Sequence, residues 1–379
     1  MKKLTTPPMP TTSQQATTAN IATYCKETAM RTKTTEIFNA ICVALASNYG
    51  VANVSENFAV EPTIEQKLYD AVYESAEFLT RINHAPVDDL VGQSVFMSAS
   101  SGVTGRAGVE KDDTKERQTK DASGLNKREY RCYEEEVDVH LTWAQMDAWS
   151  KFPDFHNRYR NHVRQQKALD IIKIGWHGTH AADSTDLTKF PLLEDVNIGW
   201  LQLVRRDAPA RVLKNGGTED APRVDEIRIG AGGDYENLDC AVHDLVQGIP
   251  LHKRVGLVAI IGDELIAQDK GKHYAKNAHT PSEKTKVEMS QVINTYGGLA
   301  SFQVSFFPQR GILVTSFDNL SHYVQSGSTR MSIINNPKKK RVEDYESRNA
   351  CYYVEDLEKI VFIESDSVKI HKDADDKWS

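Results

Sequence analysis

The strongest constraint on the fold is the passage between residues 91 and 178, where a long polar segment feeds directly into a long helical pattern. Between Ser98 and Arg131 the only aliphatic side chains larger than alanine are Val103, Val109 and Leu125, and Ser, Gly, Lys, Asp and Glu dominate the rest. So polar a segment cannot close a core of its own, and compact domains rarely carry loops beyond ~15 residues unless these are functional or disordered. Strand patterns flank it. Residues 91–97 precede it, and behind it Tyr133, Val137, Val139 and Leu141 alternate with Glu134, Glu136, Asp138 and His140, a period of two. From Pro153 the period changes: Phe152, Phe155, Tyr159, Val163, Gln166, Leu169, Ile172 and Trp176 recur three or four apart, while Arg158, Arg160, Arg164 and Lys167 mostly take other faces. Proline suits a first helical turn, where its missing N–H costs nothing, and Gly175 and Gly178 can end the helix. The pattern predicts a helix over residues 153–178, roughly 35–40 Å long at the α-helical rise. A polar hairpin mounted on so long a lever is expected to reach another molecule.

The chain has 379 residues, more than the ~100–200 of one ordinary domain, so two packed units or one elaborated unit are expected. With 40% hydrophobic and 26% charged residues it reads as globular, and a net charge of −7 gives no global field toward nucleic acid or anionic lipid. Cys25, Cys42, Cys132, Cys240 and Cys351 lie far apart, are odd in number and form no C-x-x-C. That predicts reduced thiols in a cytosol rather than a disulfide frame. The longest apolar run, residues 255–261, is far too short to span a bilayer, and residues 1–4 lead into Thr, Pro and Ser rather than a signal peptide core. A soluble intracellular product is expected.

Residues 1–29, rich in Thr, Pro, Gln and Ala, are expected to be disordered. An amphipathic helix carrying Ile37, Phe38, Ile41, Cys42 and Leu45 follows, then a linker over residues 48–57. Thr63 and Gln66 have the spacing of a capping box for a second helix with Ile64, Leu68, Val72, Phe78, Leu79 and Ile82 on its apolar face. After a polar boundary at residues 179–186, residues 192–315 read as a mixed α/β unit. Helices are predicted over 196–204 and 238–246, a buried strand over 255–261, a turn at Gly262-Asp263 and further strands over 302–307 and 312–315. The tail carries strands over 352–354 and 360–363.

Chemistry-bearing motifs are few. There is no H-E-x-x-H, G-x-S-x-G or G-x-x-x-x-G-K-[ST]. His177 and His180 lie three apart without a third metal ligand nearby, and a histidine at a helix end is favoured by the dipole in any case. Gly230-Ala231-Gly232-Gly233-Asp234 resembles a phosphate loop, but it lacks the G-x-G-x-x-G spacing and Asp234 would repel an anion, so a plain turn is the reading. The basic run Lys338-Lys339-Lys340-Arg341 is followed at once by Glu343, Asp344 and Glu346, which reads as a solvated loop. Asn53-Val54-Ser55 is a glycosylation triplet without a secretory route. No catalytic residue, cofactor or metal is assigned.

A set of short segments carries a resemblance. Phe58-Ala59-Val60-Glu61-Pro62 and Phe78-Leu79-Thr80-Arg81-Ile82-Asn83 come first, then Glu116-Arg117-Gln118 and Lys167-Ala168-Leu169-Asp170. Gly199-Trp200-Leu201-Gln202, Asp207-Ala208-Pro209-Ala210-Arg211-Val212 and Gly233-Asp234-Tyr235 follow, and Asn336-Pro337, Arg341-Val342-Glu343, Tyr345-Glu346-Ser347 and Val354-Glu355-Asp356 complete it. In order, over about Met30 to Ile370, these segments resemble the major capsid proteins of Peduovirus-like tailed phages. The resemblance implies an α+β fold of the Hong Kong 97 type. Residues 1–58 would be a disordered extension and N-terminal arm, a removed propeptide; 59–91 the first part of a peripheral domain; and 92–140 an extended E-loop hairpin. Residues 141–190 would hold the peripheral spine helix, 191–335 an axial domain, 336–370 C-terminal strands returning to the peripheral domain, and 371–379 a tail. The family-like start is Met30-Arg31, so residues 1–29 look like an extension or a misplaced start codon, and Lys111-Asp112-Asp113 gives the hairpin a mixed-charge tip.

The resemblance further implies a non-enzymatic shell subunit, forming hexamers and pentamers of an icosahedral head around double-stranded DNA. It implies a scaffolding protein, a portal protein and a maturation protease as partners, and no membrane. The protease would cut at Phe58 and Ala59. Two rival readings stay open on the residues alone: a soluble α/β enzyme using His177, His180 or the Gly232 turn, and an internal scaffolding or nucleic-acid-binding protein.

Overall fold

A computed structural model describes residues 32–98, 124–149, 152, 155–218, 221–277, 295–372 and 377–378. The extension over residues 1–29, the hairpin tip with Lys111, and Pro153 lie outside the described residues. The chain divides into two compact units, Met1–Glu65 with Glu136–Val163 and Thr329–Ser347, and Gln66–Glu135 with Arg164–Ser328 and Arg348–Ser379.

In the smaller unit the first helix is Thr32–Tyr49, longer than its apolar face suggested, with Leu45 and Tyr49 buried and the Thr34 hydroxyl donating to Asp147. The expected linker is anchored rather than free. Val54 is buried and its carbonyl accepts from Ile333 N at 2.9 Å, and Phe58–Ala59 forms a short strand, Phe58 opposite Met331 and Ala59 opposite Arg330. Arg330–Asn336 then pairs antiparallel with the first half of Arg341–Val354, and Val139–Thr142 adds to the other side of that strand, Val342 opposite Leu141. A capping box does not form. The second helix, Pro62–Tyr73, begins at the proline, which puts Thr63 inside it, and Glu65 instead takes the backbone N–H and hydroxyl of Thr329. Proline's fixed φ makes it the better first residue.

The larger unit holds the rest of the long helix, which runs Phe155–His177. Its buried residues Ala168, Ile171, Ile172, Ile174 and Trp176 pack into one cluster with Phe78, Leu79, Trp200 and Leu201. A six-stranded sheet runs in the order Thr295–Tyr296, Leu299–Phe302, Val258–Ile261, Ile312–Thr315, Val361–Ile363, Val212–Leu213. Its side chains alternate between two cores, as the strand period requires. Ile260, Leu313 and Phe362 join the tryptophan cluster, while Ala259, Ile261, Ile312, Val314, Val361 and Ile363 pack with Ala241, Val242 and Leu245 of the helix Leu238–Gln247. Each such side chain contributes about 1.5–3 kcal/mol by burial, which explains why these strands read as continuous apolar runs. Asn237 caps that helix, accepting from Cys240 N at 2.9 Å.

Three expectations fall short at turns. Residues 302–307 are not one strand: it ends at Phe302, and Phe306 sits at φ 61° in a turn closed by Phe307 N to Val304 O at 3.2 Å. Residues 255–257 precede the buried strand, with Gly256 at φ 72° and Val255 exposed. The helix placed at 196–204 is Trp200–Asp207, starting after Gly199.

Candidate functional site

The polar segment that dominated the sequence begins as an antiparallel pair, Val91–Ser98 with Gly124–Arg131, in register from Val91 opposite Arg131 to Ser98 opposite Gly124. Its root is fixed by several independent contacts. Cys132 N donates to Leu90 O at 2.9 Å, Arg128 donates to Val354 O at 2.5 Å, and the Arg128 guanidinium lies 4.6 Å over the Tyr353 ring. Tyr130 meets Tyr323 edge-on at 5.5 Å, while Tyr323 stacks on Tyr353 at 5.4 Å. Beside the root opens a cavity of about 360 Å³ lined by Val91, Tyr130, Tyr133, Arg206, Cys351 and Tyr353 among others. The Cys132, Arg128 and Tyr130 contacts hold the root of the strand pair in place.

The other sequence candidates are not brought together. His177 Nε2 lies 2.7 Å from Phe306 O, whereas His180 Nδ1 meets the Thr179 hydroxyl at 2.8 Å and its ring stands edge-on to Phe190. The Gly230–Asp234 turn is built around its acid. Asp234 accepts from Gly217 N at 2.6 Å, from Arg228 N at 2.8 Å and from Arg223. Burial alone would raise that carboxyl; Arg223 and the two amides outweigh it and hold it below the ordinary carboxylate range. Within the loop itself, Gly230 N donates to Tyr235 O at 2.8 Å and Gly233 N to Gly230 O at 2.9 Å. The basic run forms the turn between Arg330–Asn336 and Arg341–Val354, where Asn336 Oδ1 accepts from Lys338 N and Lys339 N, at 3.1 and 3.3 Å. Just beyond it, Asn336, Arg341 and Tyr345 all donate to Glu343 and hold its carboxyl down to about 2. Asn53 Oδ1 accepts from Ser55 N at 3.0 Å. Phe58 and Ala59 lie at the edge of their sheet, and Ala59 is exposed along with residues 55–57.

Sequence reasoning missed the buried polar groups of the larger unit. Glu135 and Arg348 are each 3% exposed and form an ion pair, with Arg348 Nη2 3.1 Å from Glu135 Oε2. Asn197 Nδ2 donates to Glu135 Oε1 and to Ala350 O, both at 2.9 Å. Close by, His322 Nδ1 is 3.0 Å from the Tyr73 hydroxyl, and the His84 ring stacks on Tyr73 at 3.5 Å while its Nε2 meets Leu79 O. Burial pushes both imidazoles down, and for His322 the neighbouring Arg348 and His84 add to it. Both therefore take up a proton less readily in the fold than in an unfolded chain, where histidine protonates at about 6.5. The unfolded state then binds more protons, so stability is complete above about pH 6.5 and falls as pH drops below it. Urea midpoints measured from pH 7.5 to 4.5 should decline, and His322→Phe should flatten the decline by up to about 1.4 kcal/mol per pH unit. An unchanged slope in the variant would show that His322 does not stay neutral.

Comparison with known proteins gives a consistent result. A family model described as phage major capsid protein, P2 family, matches residues 37–365. The chain is 36% identical over 335 residues to the capsid proteins of Escherichia phage P2, a match covering 86% of this chain and 92% of that one. It is 34% identical over 320 residues to the major capsid protein of Serratia phage KSP20, covering 83% and 90% respectively. Among solved structures, the satellite phage P4 procapsid including size determination (Sid) protein contains a chain 33% identical, with a TM-score of 0.71, covering 90% of this chain and 99% of that one.

Proposed function

We propose, from the premise that this chain belongs to the P2 family of phage major capsid proteins, that it builds an icosahedral phage head from hexamers and pentamers around double-stranded DNA. The observation that carries this reading is the structural match over 99% of a procapsid chain. Closed shells repeat one contact many times, so each can be modest provided its geometry is fixed. The hairpin root supplies such geometry, and the reading assigns the pair Val91–Ser98 and Gly124–Arg131 as the base of an E-loop that reaches a neighbouring subunit. Phe155–His177 takes the role of spine helix. Residues 59–91, 141–190 and 336–370 are assigned to the peripheral domain and 191–335 to the axial domain. The subunit itself is non-enzymatic: His177, His180 and the Asp234 turn are each engaged by their own neighbours. A scaffolding protein, a portal protein and a maturation protease complete the assembly.

The protease is assigned to the bond between Phe58 and Ala59, next to the exposed residues 55–57. Because both form an edge strand against Met331 and Arg330, cleavage needs that edge to fray. The test uses particles made by co-expression with the head genes. Electron microscopy should show closed shells, and mass spectrometry of finished shells should find chains beginning at Ala59. Shells that never form overturn the capsid reading; shells with intact chains from Met30 overturn the cleavage alone.

A further inference from the structure

Cys132 and Cys351 are 219 residues apart in sequence, yet their sulfurs lie 3.6 Å apart, in contact, with each residue at most 3% exposed. Buried free cysteines ordinarily behave as small inert hydrophobes. Two facts set this pair apart. The sulfurs touch, so only a short closure separates them from bonding distance. In addition, Cys351 lines the cavity beside the hairpin root, which gives a small reagent a route to a site that is otherwise closed. We propose that Cys132 and Cys351 form a reversible thiol–disulfide site, a dithiol in a reducing cytoplasm and a disulfide once the protein meets a low-molecular-weight disulfide such as oxidised glutathione.

The exchange balances without any further reagent. One protein thiolate attacks a sulfur of glutathione disulfide, forming a mixed disulfide and expelling a glutathione thiolate. The second protein sulfur then attacks the protein-side sulfur of that mixed disulfide, closing the Cys132–Cys351 bond and expelling the other glutathione. The dithiol is oxidised, the glutathione disulfide is reduced, and the two protons end on the two glutathione thiols. Cys351, which lines the cavity, is the sulfur that meets the reagent first, and Cys132, in contact with it, is placed to close the bond.

The bond would act on the hairpin root. Cys132 directly follows Gly124–Arg131 and holds Leu90 O, next to the start of Val91–Ser98, whereas Cys351 sits opposite Tyr323 in the strand pair behind it. Oxidation therefore staples the base of the hairpin to that sheet. Only the timing rests on the capsid reading: assembly occurs among reduced thiols, and the staple closes after release from the host.

The chemistry is tested on the purified, unassembled full chain. It is incubated with oxidised glutathione, alkylated, and digested without reductant. The expected result is a linked peptide pair containing Cys132 and Cys351, reversed by dithiothreitol, with exposed Cys240 taking only a glutathione adduct. The apparent melting temperature should rise by ~5–10 °C on oxidation, and Cys132→Ala/Cys351→Ala should abolish that rise. Alkylation of both residues despite the oxidant, or adducts that never resolve into the linked pair, overturns the site. A linked pair without a change in melting overturns the staple. The timing is read separately, by alkylating cells before lysis and particles after release: free thiols in released particles overturn it, while failure to form particles bears on the capsid reading alone.

Discussion

Replacing Arg348 with methionine should cost the subunit about 3–5 kcal/mol, a large share of the ~5–15 kcal/mol that keeps a typical protein folded. The loss comes from what stays behind. Glu135 is 3% exposed, and with Arg348 gone its charge keeps, among the described residues, the Asn197 amide at 2.9 Å. The guanidinium also stands 5.5 Å over the Tyr69 ring, so its removal uncovers an aromatic face as well. The double variant Glu135→Leu/Arg348→Met should recover at least half of the loss, because buried pairs often gain little over well-packed apolar side chains of similar size. Urea unfolding of the unassembled subunit gives both values. A double variant as unstable as Arg348→Met alone would show that the two residues do not form a unit.

A comparable loss, about 3–5 kcal/mol, is expected for Trp200→Ala. The ring is fully buried, its Nε1 donates to Ser321 O at 2.8 Å, and it meets Trp176 at 5.0 Å and Tyr352 at 5.3 Å, both edge-on. Truncation would open a cavity and remove the indole donor from the Ser321 carbonyl. The neighbouring Gly175 allows a sharper test. A methyl group there would fall inside contact distance of the Trp200 ring, so Gly175→Ala should cost about 1–3 kcal/mol through overpacking. Trp200→Phe removes part of the ring that the methyl would strike. Gly175→Ala/Trp200→Phe should therefore be less unstable than the sum of its single variants, and simple additivity would sink the clash argument. The measurement is again the urea midpoint of the unassembled chain.

Gly175 also shows where sequence reasoning stops. Its place near the end of an apolar pattern made it a natural stop signal, yet the helix continues to His177, and the glycine serves close packing with Trp200. What was legible had local period: the long helix, the strand Val91–Ser98 and the helix Leu238–Gln247. The period-two run over residues 133–141 is instead two short strands, Tyr133–Glu136 and Val139–Thr142, and the partner of Val91–Ser98 is Gly124–Arg131, inside the polar segment. The strand Arg341–Val354 was read only at its apolar end, because Glu343, Glu346 and Arg348 are buried charged residues that look solvated in sequence. The donors to Glu343 are its own hairpin neighbours Asn336, Arg341 and Tyr345, but the partner of Arg348 is Glu135, 213 residues away and beyond any sequence window. The same holds for Cys132 and Cys351, which the spacing read as separate thiols.

The parallel pairing of Asn83–Val87 with Leu320–Gln325 bears on how the chain is made. Asn83 lies opposite Ser321, and Val212 lies opposite Phe362 in a second parallel pair. Neither early strand has its neighbour until nearly the whole polypeptide has left the ribosome. Translation at ~5–20 residues per second separates the 238 residues between Asn83 and Ser321 by roughly 10–50 s. Over that interval the apolar faces meant for the tryptophan cluster and the six-stranded sheet remain open to other nascent chains. A subunit of this family is thus most exposed to mispairing while it is being made, before its last strands emerge.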